Sequence, residues 1–325
     1  MTNELYSAPT GDAYRNIARD EWFLSRVGDD GLILYFYIND NAVIIGKNQN
    51  PWRECALDAM KRDGVQLVRR RSGGGAVWHD RGNLNFSFIA GQNRYDKEKQ
   101  HRLILEAVRS LGIPCEFSGR NDLLAGGKKF SGNAYCTVGT KHLHHGTLLV
   151  SSDLSGVARY LTPDPRKMSA KGVSSVRSRV TTLAGFIPGL TVDDVKSAVI
   201  AAFEKRYGAL DLLSGDLEND RDFARLTAEM RSDERVYGHT PAFDAEIDLR
   251  CSFGGVQILL SVKEGVVSFV KTYTDANDVL LPSRISALLT GVRYDDNALG
   301  AALRAEGKDD TGEIARAIAD RKSVN

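Results

Sequence analysis

The stretch Arg69-Arg70-Arg71-Ser72-Gly73-Gly74-Gly75-Ala76-Val77-Trp78-His79-Asp80 puts three glycines behind three arginines. Extended, apolar-rich runs lie on either side, Val65-Gln66-Leu67-Val68 before it and Leu84-Asn85-Phe86-Ser87-Phe88-Ile89 after it. The reading is strand, glycine loop, strand. Glycines without a Cβ let the backbone turn and come close to a ligand. Their bared N–H groups form an anion-binding concavity, and guanidiniums beside them grip carboxylate or phosphate. A hairpin turn with a solvated basic flank carries the same letters, so the stretch alone leaves both readings open.

Outward from the loop, residues 12–27 read as an amphipathic helix capped by Asp12. Residues 32–38 and 42–46 read as a hairpin turning at Asn39-Asp40-Asn41. Pro51 opens a helix through residue 61, with Gly64 past its end. A further helix covers 97–111, closed by Gly112 and Pro114. Residues 118–150 are dense in turn residues and end in a strand at 147–150. Residues 159–182 form a long irregular segment whose only acid is Asp164, against six lysines and arginines; loops of this length are usually functional. Helices follow at 192–207 and 219–230. Beyond 237–244 the pattern changes to short strands (257–262, 266–272) and helices near 283–289, 297–305 and 313–321, a small α+β unit.

With 325 residues, the chain is long enough for a large domain plus a small one. Its 43 basic and 42 acidic residues leave a net charge of +1, so global charge predicts neither a nucleic-acid nor a membrane partner. The four cysteines are far apart and form no CxxC pair, which argues against a zinc site or a disulfide framework. With no secretory signal pattern at the start, the expected compartment is the cytoplasm.

Several residues carry candidate chemistry. Asn121-Asp122 precedes Lys128-Lys129, and a carboxylate there suits Mg²⁺, which takes one or two carboxylates plus ligand phosphates; an Asx turn is the plainer role. Lys129, followed by Phe-Ser-Gly-Asn-Ala, is able to approach an anion. His144 and His145 are adjacent, so on a strand they point to opposite faces and do not form a metal pair; one of them lining a pocket fits the pattern. His79-Asp80 lacks an accompanying nucleophile motif, so it reads as bracing for the loop.

Taken together these motifs resemble lipoate–protein ligase A. The resemblance is carried by Gly46-Lys47-Asn48-Gln49-Asn50-Pro51-Trp52, Arg69-Arg70-x-Ser72-Gly73-Gly74-Gly75-Ala76-Val77-Trp78-His79-Asp80-x-Gly82-Asn83, Asn121-Asp122, Lys129-x-Ser131-Gly132, His144-His145-Gly146-Thr147 and Lys171-Gly172-x-x-Ser175-Val176-Arg177. It covers nearly the whole chain. It implies an α+β fold: a large mixed-sheet catalytic domain of the biotin/lipoate ligase type (1–240), a linker (241–248) and a small α+β accessory domain (249–325). It implies ATP-dependent activation of lipoate to lipoyl-AMP with Mg²⁺. Transfer then follows to a lysine of lipoyl domains of 2-oxoacid dehydrogenase complexes or of the glycine cleavage H protein, by a monomer.

Carried over by motif, Arg70, Gly75, Ala76, Val77, Trp78 and Lys129 match positions that hold ATP or the adenylate, with Lys129 catalytic. The set extends to Ser72, Gly73, Gly74, Asn83, Asn121, Asp122, His145, Gly146, Lys171 and Arg177. Asp122 is the Mg²⁺ candidate, and segment 166–180 is similar to an adenylate-binding loop. Arg71 is expected to face solvent or add to the phosphate field, and strands around Phe86 and Phe88 to wall an acyl tunnel. An octanoyl or lipoyl acyltransferase on the same scaffold, and a non-catalytic lipoate-binding protein, remain as alternatives. The first needs a cysteine acyl-thioester, and no cysteine lies between Cys136 and Cys251.

Overall fold

The computed structural model describes residues 2–118, 121–162, 180–213, 218–238 and 243–320. The first helix, α1 (Ala13–Arg26), starts where Asp12 accepts a hydrogen bond from the Tyr14 N–H at 3.0 Å. An eight-stranded mixed sheet follows. It contains β1 (Thr2–Ser7), β2 (Gly31–Tyr37), β6 (Asn83–Ala90), β7 (Cys115–Ser118), β8 (Asp122–Ala125), β9 (Lys128–Val138), β10 (Lys141–Leu149) and β11 (Asp211–Leu212), in the order β11-β1-β2-β6-β10-β9-β8-β7. The β1 pairings to β2 and β11 are parallel and the others antiparallel.

Every residue of β2 and β6 is buried, as expected of strands covered on both faces. One face packs against α4 (Lys97–Ser110) and α6 (Val192–Tyr207), with Phe86, Phe88, Leu103, Val108, Val199 and Phe203 in the core. The other packs against α1 and a second sheet, through Ile17, Phe23, Tyr35, Ile44 and Val68. Each large apolar side chain buried this way contributes about 2 kcal/mol.

The second sheet has three strands: β3 (Ala42–Ile45) between β4 (Gln66–Arg69), parallel to it, and β5 (Val77–His79), antiparallel. This corrects the expected hairpin: β2 and β3 lie in different sheets. Asn39 between them is buried and bonded to Asn16 and His79, so the connection crosses between layers instead of turning back. The helix expected from Pro51 to residue 61 is broken into α2 (Pro51–Glu54) and α3 (Leu57–Asp63). The break has a local cause: the Thr162 N–H donates to Glu54 O and the Ala56 N–H to Tyr160 O, at the end of α5 (Ser155–Tyr160). Residues 118–150 are mostly strand, because Gly132 and Gly146 serve close packing inside β9 and β10 and not turns.

The C-terminal unit is an antiparallel meander, β12 (Ala245–Cys251), β13 (Gly254–Lys263) and β14 (Val266–Thr274). Three helices, α9 (Leu281–Leu289), α10 (Asp296–Arg304) and α11 (Asp309–Asp320), join it in a core of its own. Residues 245–248, read from sequence as linker, are strand. The unit is bonded to the catalytic part: Arg53 Nη2 meets Asp248 at 2.9 Å, Asn50 Nδ2 donates to Gln257 at 2.9 Å, and the Thr274 N–H donates to Asn48 O at 2.8 Å. No helix among the described residues is long and apolar enough to cross a membrane.

Candidate active site

The glycine loop runs from the end of β4 to β5, and Gly74 adopts φ +90°, a conformation that favours glycine. The arginines before it are not a free cationic lip. Arg70 is buried, and its guanidinium is spent on the loop itself. Nε donates to Ser72 Oγ (3.1 Å), Nη1 to Ile44 O (3.0 Å), and Nη2 to Gly73 O (2.7 Å) and Gly75 O (2.8 Å). Arg69 does the same on the far side, donating to Gly46 O, Lys47 O, Gln49 O and Val236 O.

Burial lowers both arginines to about 10, so they stay charged at neutral pH. Neither pairs with a carboxylate among the described residues. Two charges without a carboxylate partner thus lie under the loop and make its concavity electropositive. Arg71 pairs with buried Glu21 at 2.7 Å while its side chain stays 38% exposed, so it reaches solvent and does not line the cavity.

Behind the loop runs a buried relay. Ser72 Oγ meets His145 Nε2 at 2.7 Å, and His145 Nδ1 meets Asp20 Oδ2 at 2.9 Å, while Ser87 donates to Asp20 Oδ1 at 2.6 Å. With Nδ1–H directed at the carboxylate, the imidazole accepts from Ser72, and Ser72 in turn accepts from Arg70. The relay fixes the guanidinium that holds the glycine carbonyls.

Across the cavity, Lys129 Nζ lies 2.8 Å from Asp122 Oδ1. The lysine stem lies against Gly132, where a Cβ would stand 2.9 Å from Nζ. The Lys129 carbonyl accepts from the Thr181 N–H at 2.9 Å, which ties the chain at the end of the basic segment to this strand. Asn133 donates to Asn121 O at 2.9 Å and holds the turn before Asp122.

Between these walls lies a cavity of about 230 Å³. Of the sequence-derived residues, Arg70, Gly74, Gly75, Ala76, Val77, Asn121, Asp122, Lys129, His145 and Gly146 line it. Four others do not line it: Ser72 lies in the relay, Gly73 backs onto Ala276 and Asn277, Trp78 stacks on Tyr160, and Asn83 bonds to Asn85. Lys171, Arg177 and segment 166–179 lie outside the described residues.

The Phe86 and Phe88 rings face the helix layer and are no part of the cavity, whereas their strand β6 and its neighbour β10 line it through Asn85, His145, Gly146 and Thr147. Strand alternation turns their neighbours inward: Asn85 lines the cavity and Ser87 reaches Asp20. The apolar walls are Ile17, Tyr37, Ile44, Val77 and Ala134.

Three contributors went unread in the sequence. Asp20 lies on the buried face of α1, where an acid i+3 from Ile17 carries no motif. Asp275 and Asn277 come from the C-terminal unit, and the Gly74 N–H donates to Ala276 O at 3.2 Å. His79 ends β5 and Asp80 follows it. Asp80 braces the chain by accepting from the Gly82 and Asp153 N–H groups. His79 lines the cavity, and burial, with Arg70 and His145 nearby, lowers it to about 3.

His144 points the other way from His145, between Gln100 and Asn133, and is held well below the usual histidine range by burial. All four cysteines are buried, none lines the cavity, and burial raises each thiol, Cys55 and Cys251 to about 12.

A glycine loop over two buried arginines and a lysine–carboxylate pair thus face each other above apolar walls, beside a second domain. Two family models match the chain: "Lipoyl protein ligase A/B catalytic domain" over residues 12–204 and "Bacterial lipoate protein ligase C-terminus" over residues 240–317. The chain belongs to the lipoate–protein ligase family. It is similar to P. falciparum LipL1, solved in complex with lipoate, at 25% identity and TM-score 0.84, over 97% of this chain and 98% of that one. A lipoate-protein ligase A solved with ATP is 30% identical, TM-score 0.61, over 73% of this chain and 99% of that one. A bi-partite lipoate protein ligase from Thermoplasma acidophilum, described with its E2 lipoyl domain, is 28% identical, TM-score 0.63, over 74% and 98%.

Proposed function

We propose that this chain activates free lipoate with ATP to lipoyl-AMP and then transfers the lipoyl group to a lysine of lipoyl acceptor domains. The observation that carries this reading is the Lys129–Asp122 pair facing the glycine loop across a cavity that ends in apolar walls.

The lipoate carboxylate attacks the α-phosphorus and pyrophosphate leaves; no protein nucleophile is needed. The chain's task is to screen two anions, hold them in line and stabilise charge on the phosphoryl oxygens. Loop N–H groups and Lys129 do this directly, over the field of Arg69 and Arg70. Arg70 acts mainly through the loop it holds. Asp122 and Asp275 are the carboxylates lining the cavity and fit Mg²⁺, which needs one or two of them alongside ligand phosphates. Bound there, Mg²⁺ would neutralise phosphate charge. In the second step the acceptor lysine attacks the mixed anhydride and AMP departs. The acceptors are lipoyl domains of 2-oxoacid dehydrogenase complexes and the glycine cleavage H protein, and the ligase works as a cytoplasmic monomer.

A cysteine-dependent acyltransferase is disfavoured by four buried thiols with raised pKa, none at the cavity. The test is lipoate-dependent pyrophosphate release from ATP with no carrier protein present. Release is expected, and Lys129→Ala should abolish it while the thermal midpoint stays within a few degrees. Acyl transfer from a carrier thioester without any pyrophosphate release would overturn the reading.

A further inference from the structure

His79 is the polar group of the cavity wall whose bonding is left incomplete. Asn16 donates through Nδ2 to Thr10 O (3.0 Å) and Ile38 O (3.3 Å), so its amide orientation is fixed. The same Nδ2 meets Asn39 Oδ1 at 2.9 Å, which turns the Asn39 Nδ2 toward His79 Nδ1 at 3.0 Å. Nδ1 therefore accepts, and in the neutral ring the proton sits on Nε2. That Nε2–H is buried and has no hydrogen-bond partner among the described residues.

The position of this donor is informative. Gly74 to Ala76, Lys129 and Asp122 line the same cavity. Val77, which follows the loop, and His79 lie on the same face of β5, and at about 3.3 Å per residue His79 is roughly 7 Å further along the strand from the glycines. The lining that surrounds it, Tyr37, Ile44 and Val77, is largely apolar. A chain with its carboxyl at the loop that followed this wall would pass Val77 and reach His79.

A buried donor left without an acceptor is costly, and a ligand that brings an acceptor recovers that cost while a plain alkyl end does not. Divalent sulfur is a weak acceptor.

We propose that His79 is a specificity residue for the acyl chain: its unpaired Nε2–H favours a chain ending in a disulfide ring over one ending in plain alkyl. This rests on the lipoate reading above and adds to it a reason for preferring the dithiolane acid to the straight-chain fatty acid of equal length.

The experiment is calorimetric binding of lipoate and of octanoate to the full chain without ATP, for wild type, His79→Leu and His79→Gln, with thermal melts to verify folding. Wild type should bind lipoate more tightly. His79→Leu should lower the lipoate-to-octanoate affinity ratio by about tenfold, from lost lipoate affinity and gained octanoate affinity together. His79→Gln, which returns a donor, should restore part of the ratio. An unchanged ratio in folded His79→Leu overturns the proposal. So does an equal loss for both acids, which would make His79 a brace of the wall. If wild type binds neither acid, the lipoate reading itself falls, and the specificity proposal falls with it. A changed ratio without pyrophosphate release would uphold the specificity role while removing the ligase reading.

Discussion

Lys129 depends on a residue that has no side chain. Its stem occupies the space where Gly132 would carry a Cβ, 2.9 Å from Nζ and 3.0 Å from Cε. The far end of a lysine yields easily, so Gly132→Ala should fold with a stability change under about 1 kcal/mol. Its ammonium would nevertheless be displaced, and adenylate formation should fall about tenfold or more; pyrophosphate release beside a thermal melt separates the two effects. His79 supplies a prediction of a different kind. Its folded value of about 3 lies below the ordinary 6.5, so the unfolded chain binds more protons between those values. Stability from this group is complete above about 6.5 and is lost as pH falls toward about 3. Between pH 6.5 and 5 the loss is about 2 kcal/mol. Denaturant midpoints for wild type and His79→Phe across this range should show a shallower acid slope in the variant.

At the scale of elements, the glycine loop is held open from behind by Arg70, which joins β3, the loop and the relay to β10. Arg70→Lys keeps the charge but cannot reach Ile44, Ser72, Gly73 and Gly75 at once. It should destabilise the chain by about 3 kcal/mol, read from denaturant unfolding, and slow adenylation. This bracing shows what the letters carried. Strand, loop and strand around Gly73–Gly75 were legible, because periodicity and glycine are local signals. So were α1, α6 and the C-terminal helices, whose caps and apolar faces are local too. The direction of the arginines was not legible: whether a guanidinium meets a ligand or a backbone carbonyl depends on the neighbouring strands. The alternation Asn85-Phe86-Ser87-Phe88 separates two faces of β6, but both are buried, so the letters alone do not say which one meets the cavity. The split between β2 and β3 hid behind Asn39-Asp40-Asn41, whose turn chemistry suits a hairpin, while a buried Asn39 serves a crossing between sheets.

At the scale of the whole molecule, the site is shared between two units. Asp275 and Asn277 lie too far along the chain from the loop for any local pattern to place them there. A Cβ on Gly73 would stand 2.6 Å from Ala276 O and 2.7 Å from Asn277 O, both backbone atoms. Gly73→Ala should therefore push the C-terminal unit off the loop, and small-angle scattering should show a larger radius of gyration; an unchanged radius would mean the contact yields locally. The linker expected from the sequence at 241–248 falls partly outside the described residues, at 241–242.

The placement of Ala276 over Gly74 also bears on synthesis. The loop and the strands that face it are complete once β10 has been made, but the segment that covers the loop follows more than a hundred residues later. At ribosomal speeds that delay is on the order of ten seconds. During it the nascent catalytic domain carries a Gly74 N–H that the protein's own carbonyl has not yet reached, so the loop is open to solvent before it is capped.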